Sequence, residues 1–164
     1  MEHLVVIAEK EELKLVEKLG YGKYPVLITG VGALNVIEAL KDIPKDTNLI
    51  NIGYAGSKDL EPGKFYSVNM VSLYHPNVDY DEQTYDLGWI PWGIEPETES
   101  DEPMTPVKCL TGTDFVLESN VKGCVFDMEL AYIKALGFEY VIAYKYVSDN
   151  LDLQEYREKL KDEN

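Results

Sequence analysis

"YPVLITG" (24–30) runs directly into "VGALNVIEAL" (31–40), and reading that junction decides the fold class. The first stretch is a short, nearly continuous apolar run, the mark of a strand buried on both faces. The second has helical patterning. The same succession recurs on either side. "HLVVIA" (3–8) reads as a strand. "EKEELKLVEKLG" (9–20) sets Leu13, Val16 and Leu19 at helical spacing and closes at Gly20. "TNLINIG" (47–53), "KFYSVNMVSLY" (64–74), "GCVF" (123–126) and "YVIAYKYVSDN" (140–150) are further strands, and "VKCLTGTDFV" (107–116) is a strand into a turn. "DMELAYIKALG" (127–137) reads as a buried helix and "LQEYREKLK" (153–161) as a charged closing helix. Strands alternating with helices predict one α/β domain over residues 1–164 with a parallel or mixed central sheet.

Residues 77–106 break the pattern. They hold Trp89, Trp92 and the acidic, proline-bounded "EPETESDEP" (95–103), which reads as a solvated loop. "LGWIPWG" (87–93) is expected to pack over the sheet edge or the site.

Bulk charge narrows the partners. Thirty Asp and Glu against fifteen Lys and Arg give a formal charge of −15. Nucleic-acid phosphates need a basic face, and so do anionic membranes. Neither partner is expected. The N-terminal apolar run is too short for a signal peptide, and no stretch reaches the length of a membrane span. A cytoplasmic protein is expected, with Cys109 and Cys124 as free buried thiols.

In sheets of this class ligands bind at the carboxyl ends of strands. Acids beside glycine-rich turns gather there. The groups are Glu9 to Glu12, Gly30 to Gly32, Gly53 to Gly56, Thr113 to Phe115, "FDMEL" (126–130) and "VSDN" (147–150). No phosphate-binding lysine loop and no GxGxxG accompanies them. Taken singly, each has an ordinary reading. Glu12 is a first-turn acid facing a helix dipole, Asp149 is a helix cap, and Phe115 is a core aromatic. Glu129 is harder to place this way. Asp127 is the natural N-cap of the following helix, which leaves Glu129 as a charge in an apolar segment that wants a partner.

"LITGVGALNV" (27–36), "NIGYAGSKDLEPGKFYSV" (51–68), "GTDFV" (112–116), "FDMELAYI" (126–133) and "VSDN" (147–150) occur in that order. Together they resemble the nucleoside phosphorylase and nucleosidase superfamily, above all the 5′-methylthioadenosine/S-adenosylhomocysteine nucleosidases. The resemblance implies a three-layer αβα sandwich with a mixed central sheet, and hydrolysis of a purine nucleoside's N-glycosidic bond. It implies that Glu12 orients the attacking water, that Glu129 beside Met128 grips the ribose hydroxyls, and that Asp149 beside Ser148 protonates the departing base. Phe115 and Val116 would meet the base. Tyr54, Ala55, Gly56 and Lys145 would complete the substrate site. No cofactor and no metal is implied, and a homodimer is expected.

The chemistry suits these residue types. Cleavage develops positive charge on the sugar and negative charge on the base. A carboxylate near the ribose stabilises the first, and a carboxylic acid raised by burial neutralises the second. Phosphorolysis would need a dianion site, usually built from arginines. The chain has one arginine, Arg157, and its first strand leads into the acidic "AEKEEL" (8–13). Water is therefore the expected nucleophile. The chain departs from the family pattern in being short. It has Lys145 for the usual arginine, Tyr54 for a small hydroxyl residue, and Glu9 for an apolar residue. The alternative expectation is a shortened domain that binds a nucleoside or a protein partner without turnover.

Overall fold

The computed structural model describes residues 2–75, 84–87, 94–97 and 104–162. Strand β1 (His3–Ile7) leads through a 3-10 turn (Lys10–Glu12) into helix α1 (Leu13–Lys18). Strand β2 (Val26–Ile28) and helix α2 (Ala33–Leu40) follow, then the long strands β3 (Asn48–Gly56) and β4 (Phe65–Leu73). After β5 (Thr84–Asp86) come β6 (Pro106–Thr111), β7 (Cys124–Asp127) and α3 (Leu130–Ala135). Strand β8 (Val141–Asp149) and helix α4 (Leu153–Asp162) end the described chain.

All eight strands join one mixed sheet. β2, β1, β3 and β8 lie side by side and parallel. β8 then pairs antiparallel with the start of β4, which runs parallel to β6, and β6 parallel to β7. β7 returns to β3 through the antiparallel pair Gly56 and Phe126. Strands β3, β8, β4, β6 and β7 thus close on themselves. Register shifts at Ala55/Gly56 and Val68/Met70 accompany the closure, as expected, since an extra residue bends a strand and increases its twist.

Every residue of β3 and β8 is buried, which explains their unbroken apolar runs. Alternate residues face two different cores. Leu49, Ala55, Ala143 and Val147 pack with Val36 and Leu40 of α2 and with Leu130, Ala131 and Ile133 of α3. Ile50, Ile52, Ile142 and Tyr144 pack with Leu15, Val16 and Leu19 of α1, and Tyr156 and Leu160 of α4 join that second core. Among the described residues no helix is long and apolar enough to cross a membrane. Cys109 and Cys124 are buried and free.

Three local readings of the sequence need correction. The helix expected over 9–20 divides into the 3-10 turn and α1. The helix expected over 127–137 begins only at Leu130, because Phe126 and Asp127 are still paired with Leu110 and Thr111 of β6. A strand, β5, lies inside the stretch read as irregular, bonded to the outer edge of β4. The Trp89/Trp92 loop lies outside the described residues.

Candidate active site

The carboxyl ends of β1, β3, β7 and β8 meet around one cavity, and the first acid to reach it is Glu12. The turn after β1 bends Glu12 back so that it is almost fully buried. Its Oε1 accepts the backbone N–H groups of Ala8 (2.8 Å) and Glu9 (3.0 Å), and its Oε2 accepts that of Tyr54 (2.8 Å). The approach to β3 is possible because residue 53 is glycine. A Cβ there would lie 2.6 Å from Glu12 Oε2 and 3.5 Å from Lys145 Nζ. Burial raises the Glu12 carboxyl to about 7, although Lys145 and the three N–H donors pull it down. A carboxyl poised near neutrality is suited to exchange protons with water.

Asp127 and Lys145 form the floor. The Lys145 ammonium lies 3.0 Å from Asp127 Oδ2, and both side chains are nearly inaccessible. Asp127 Oδ2 also accepts the N–H of Leu130 at 2.8 Å, which starts α3, and its Oδ1 accepts the Thr111 hydroxyl at 2.5 Å. Burial alone would raise Asp127, but Lys145 and these donors outweigh it and hold the carboxyl below its usual range. For Lys145 the Asp127 charge outweighs the burial, and its pKa is raised.

Glu129, two residues on, is treated differently. Its Oε2 accepts the N–H of Gly32 at 2.9 Å, tying α3 to the turn before α2. Burial and then the Asp127 charge push it up to about 8, against the pull of Lys145 and the Gly32 N–H. Near the floor, Asp127, Glu12 and Glu129 face one buried ammonium. Such a group favours uptake of protons by the acids that lack a direct pair.

Asp149 ends β8 and is fully buried. The Ser148 hydroxyl donates to its Oδ1 at 2.6 Å and the Leu151 N–H to its Oδ2 at 2.9 Å. Leu151 has φ of 67°, a left-handed conformation that is costly for a branched side chain. That conformation belongs to the turn that brings its N–H onto the carboxylate. Burial, the largest influence, raises the Asp149 carboxyl above its ordinary value despite both donors. Gly56 is close beneath it, and a Cβ there would come within 3.0 Å of Asp149 Oδ2.

The cavity is lined by Glu12, Glu129 and Asp149 together with Tyr54, Ala55, Gly56, Phe115, Val116 and Met128. These nine come from separate segments of the chain. Ser148 and Lys145 do not line it. Ser148 lies behind Asp149, and Lys145 lies under Asp127, so a direct substrate contact expected of Lys145 is replaced by an ion pair. The sequence reading did not assign Asp114, Leu151 or Tyr156 to the lining and gave Glu9 only as a departure from the family's apolar residue near the ribose and 5′ pocket, yet all four belong to it. The Tyr156 hydroxyl donates to Glu9 Oε2 at 2.8 Å. Its ring lies 5.4 Å from Phe115 and 6.3 Å from Tyr54, centroid to centroid. The contact joins residues 147 apart in the chain, which left no local signal. About 60 Å³ of space remains open, enough for water beside the acids. Among the described residues, the lining has no Lys, Arg or His, and no group of three or more ligating side chains is placed to hold a metal.

No protein-family model matches the chain, and no curated protein sequence matches it. Solved structures do match its fold. The 5′-methylthioadenosine/S-adenosylhomocysteine nucleosidase of Helicobacter pylori superposes with TM-score 0.69 at 17% identity, covering 99% of this chain and 92% of the other. The nucleosidase of Chlamydia trachomatis gives TM-score 0.69 at 18% identity over 99% and 93% of the two chains. The futalosine hydrolase of Helicobacter pylori gives 0.68 at 15% over 99% and 92%. The chain therefore has the fold of these hydrolases, and the superfamily resemblance read from the sequence holds at the level of fold.

Proposed function

We propose that this chain is an N-glycosyl hydrolase that releases the base from a purine nucleoside of the 5′-methylthioadenosine/S-adenosylhomocysteine type. The reading rests chiefly on one observation. Three carboxyl groups from three separate strand ends, all raised by burial, border a single cavity. The fold is read as the three-layer αβα form of the phosphorylases and hydrolases, and its likeness to nucleosidases and to futalosine hydrolase supports the reaction class.

The steps follow from the positions. Phe115 and Val116 hold the purine, and Glu129 beside Met128 accepts the ribose hydroxyls. The C1′–N bond breaks with its electron pair passing to the purine. The Asp149 carboxyl gives its proton to a purine nitrogen, with Ser148 and the Leu151 N–H ready to hold the carboxylate left behind. Positive charge on the ribose is met by the surrounding carboxylates in a poorly hydrated space. Water attacks C1′ and yields its proton to ionised Glu12. Lys145 takes no part in bond-making; it holds Asp127 and moderates the charge around Glu12 and Glu129. The cation-free lining favours water over phosphate as nucleophile.

The test is base release from methylthioadenosine, adenosylhomocysteine, adenosine and inosine, with and without phosphate, with the sugar product identified. Phosphate-independent release of free sugar supports hydrolysis. Sugar phosphate would make the protein a phosphorylase. Thermal stabilisation by a nucleoside without any release would favour the binding module.

A homodimer and a cytoplasmic location complete the proposal. The β2–α2 stretch leaves Ile28, Val31, Leu34 and Ile37 exposed, with Leu34 at 82%, an apolar strip suited to a second copy. Light scattering should give twice the chain mass, and Leu34→Glu should shift it toward the monomer. The free buried thiols fit a reducing compartment.

A further inference from the structure

Outside the active site a second depression, of about 660 Å³, lies where the 3-10 turn and the start of α1 meet α4. Lys10, Arg157 and Lys161 line it against a single acid, Glu11, and Leu13 and Leu160 supply its apolar part. The balance is the reverse of that in the whole chain, where acids outnumber cations by thirty to fifteen. Arg157 is the one arginine of the sequence. Among the described residues neither it nor Lys10 has an ion pair or a side-chain hydrogen bond, whereas Lys41, Lys64 and Lys145 each reach an acid. Leu13 is exposed and Leu160 is half-buried against the second core. The depression adjoins the active site through consecutive residues. Glu9 and Tyr156 line the cavity, and the next residue of each segment, Lys10 and Arg157, lines the depression. The Tyr156–Glu9 hydrogen bond ties the two segments at 2.8 Å, and Lys14 Nζ ties them again at 2.9 Å to the Leu160 carbonyl.

We infer that this depression is a second ligand site, for a small organic phosphate whose dianion is held between Arg157 and Lys10 and whose apolar body lies on Leu13 and Leu160. The guanidinium fork matches two phosphate oxygens, and the ammonium adds a compact charge beside them. Three cations against one acid leave two positive charges in the lining, which is the charge a phosphomonoester balances near neutral pH. The volume lies within the range of small-molecule sites. A monocarboxylate would balance only half of that charge. Nucleic acid and anionic membrane are opposed by the −15 charge of the whole chain. The site lies apart from the cavity, so the inference goes beyond the nucleosidase reading and does not depend on it.

The test is calorimetric titration of the whole chain with phenyl phosphate at constant ionic strength, beside inorganic phosphate and phenol as its two halves. Amide hydrogen exchange locates the contact. The wild type should bind phenyl phosphate more tightly than either half, and exchange should slow in residues 10–13 and in α4. Arg157→Gln should weaken binding at least about tenfold, the loss typical of charge-assisted hydrogen bonds. Lys10→Gln should weaken it less. Glu11→Gln removes the opposing charge and should strengthen it, a gain that no failure to fold can imitate. Lys41→Gln removes the same charge from α2 and should change nothing. No binding by the wild type overturns the inference, and so does slowed exchange that spares both segments. An equal loss in Lys41→Gln and Arg157→Gln overturns it as well, since it would mean attraction to charge without a site.

Discussion

Asp127 lies on the floor of the cavity with the Lys145 ammonium at 3.0 Å, whereas Glu12, Glu129 and Asp149 stand around its walls on backbone N–H and hydroxyl donors. All four are carboxyl groups removed from bulk water. The floor acid is held below its ordinary pKa and the wall acids are raised. Burial acts alike on all of them, so a direct ammonium partner is what separates them. The floor is a structural charge pair that orders α3 and β8. On the walls, Glu12 and Glu129 are raised to about 7 and about 8, near neutral pH, and Asp149 is raised above its ordinary value, the kind of shift that suits proton transfer to a base or from water.

The comparison can be broken most forcefully at the floor. Lys145→Met would leave Asp127 buried with no counter-charge, a loss expected to cost about 3–5 kcal/mol and to lower the melting temperature by roughly 10 °C. Adding Asp127→Asn should restore part of that. A single variant that melts like the wild type would mean the pair is not structural.

A change at the wall should behave in the opposite way. Asp149→Asn can keep both local hydrogen bonds, with its amide oxygen facing the Leu151 N–H and its NH₂ facing Ser148. Stability should shift by no more than about 1 kcal/mol. Base release should fall by roughly a hundredfold or more, since the amide has no proton to give.

The raised acids also fix a pH dependence. Their folded-state pKa values exceed the unfolded ones, so the native state binds protons more tightly. Stability is then greatest below about 4.5 for these groups and falls as the pH rises through about 7 for Glu12 and about 8 for Glu129. The Glu12 share is about 3 kcal/mol. Denaturation between pH 5 and 8 should show this decline, and Glu12→Gln should flatten the part below 7. Base release should rise over the same range as Glu12 ionises.

Gly53→Ala sharpens the link between floor and wall. The added Cβ must displace Glu12 Oε2 from 2.6 Å, at about 1–3 kcal/mol. Its signature is a lower kcat together with a displaced pH limb.

Much of the sheet was legible because β3 and β8 are buried on both faces and so carry unbroken apolar runs. The closure of β7 on β3 was not, since it rests on one long-range pair, Gly56 with Phe126. The strand β5 is three residues at an edge, too short to show a period. The start of α3 was read early because an acid before an apolar run looks like a cap. Asp127 does receive the Leu130 N–H, but from inside a strand. The acids of the walls stand at strand ends, but taken singly Glu12 and Asp149 read as ordinary helix and cap residues, and only the ordered resemblance to the nucleosidases picked out Glu12, Glu129 and Asp149 together. The Lys145 pairing and the Glu9–Tyr156 contact were not found, because each joins parts of the chain that only the fold brings together.

The central reading is tested most directly by free-base release from the nucleoside panel in phosphate-free buffer, with wild type and Asp149→Asn side by side. Release by the wild type, with the variant down at least about a hundredfold and equally stable, is the predicted result. Release by the variant at the wild-type rate, or none by a folded wild type, would contradict it.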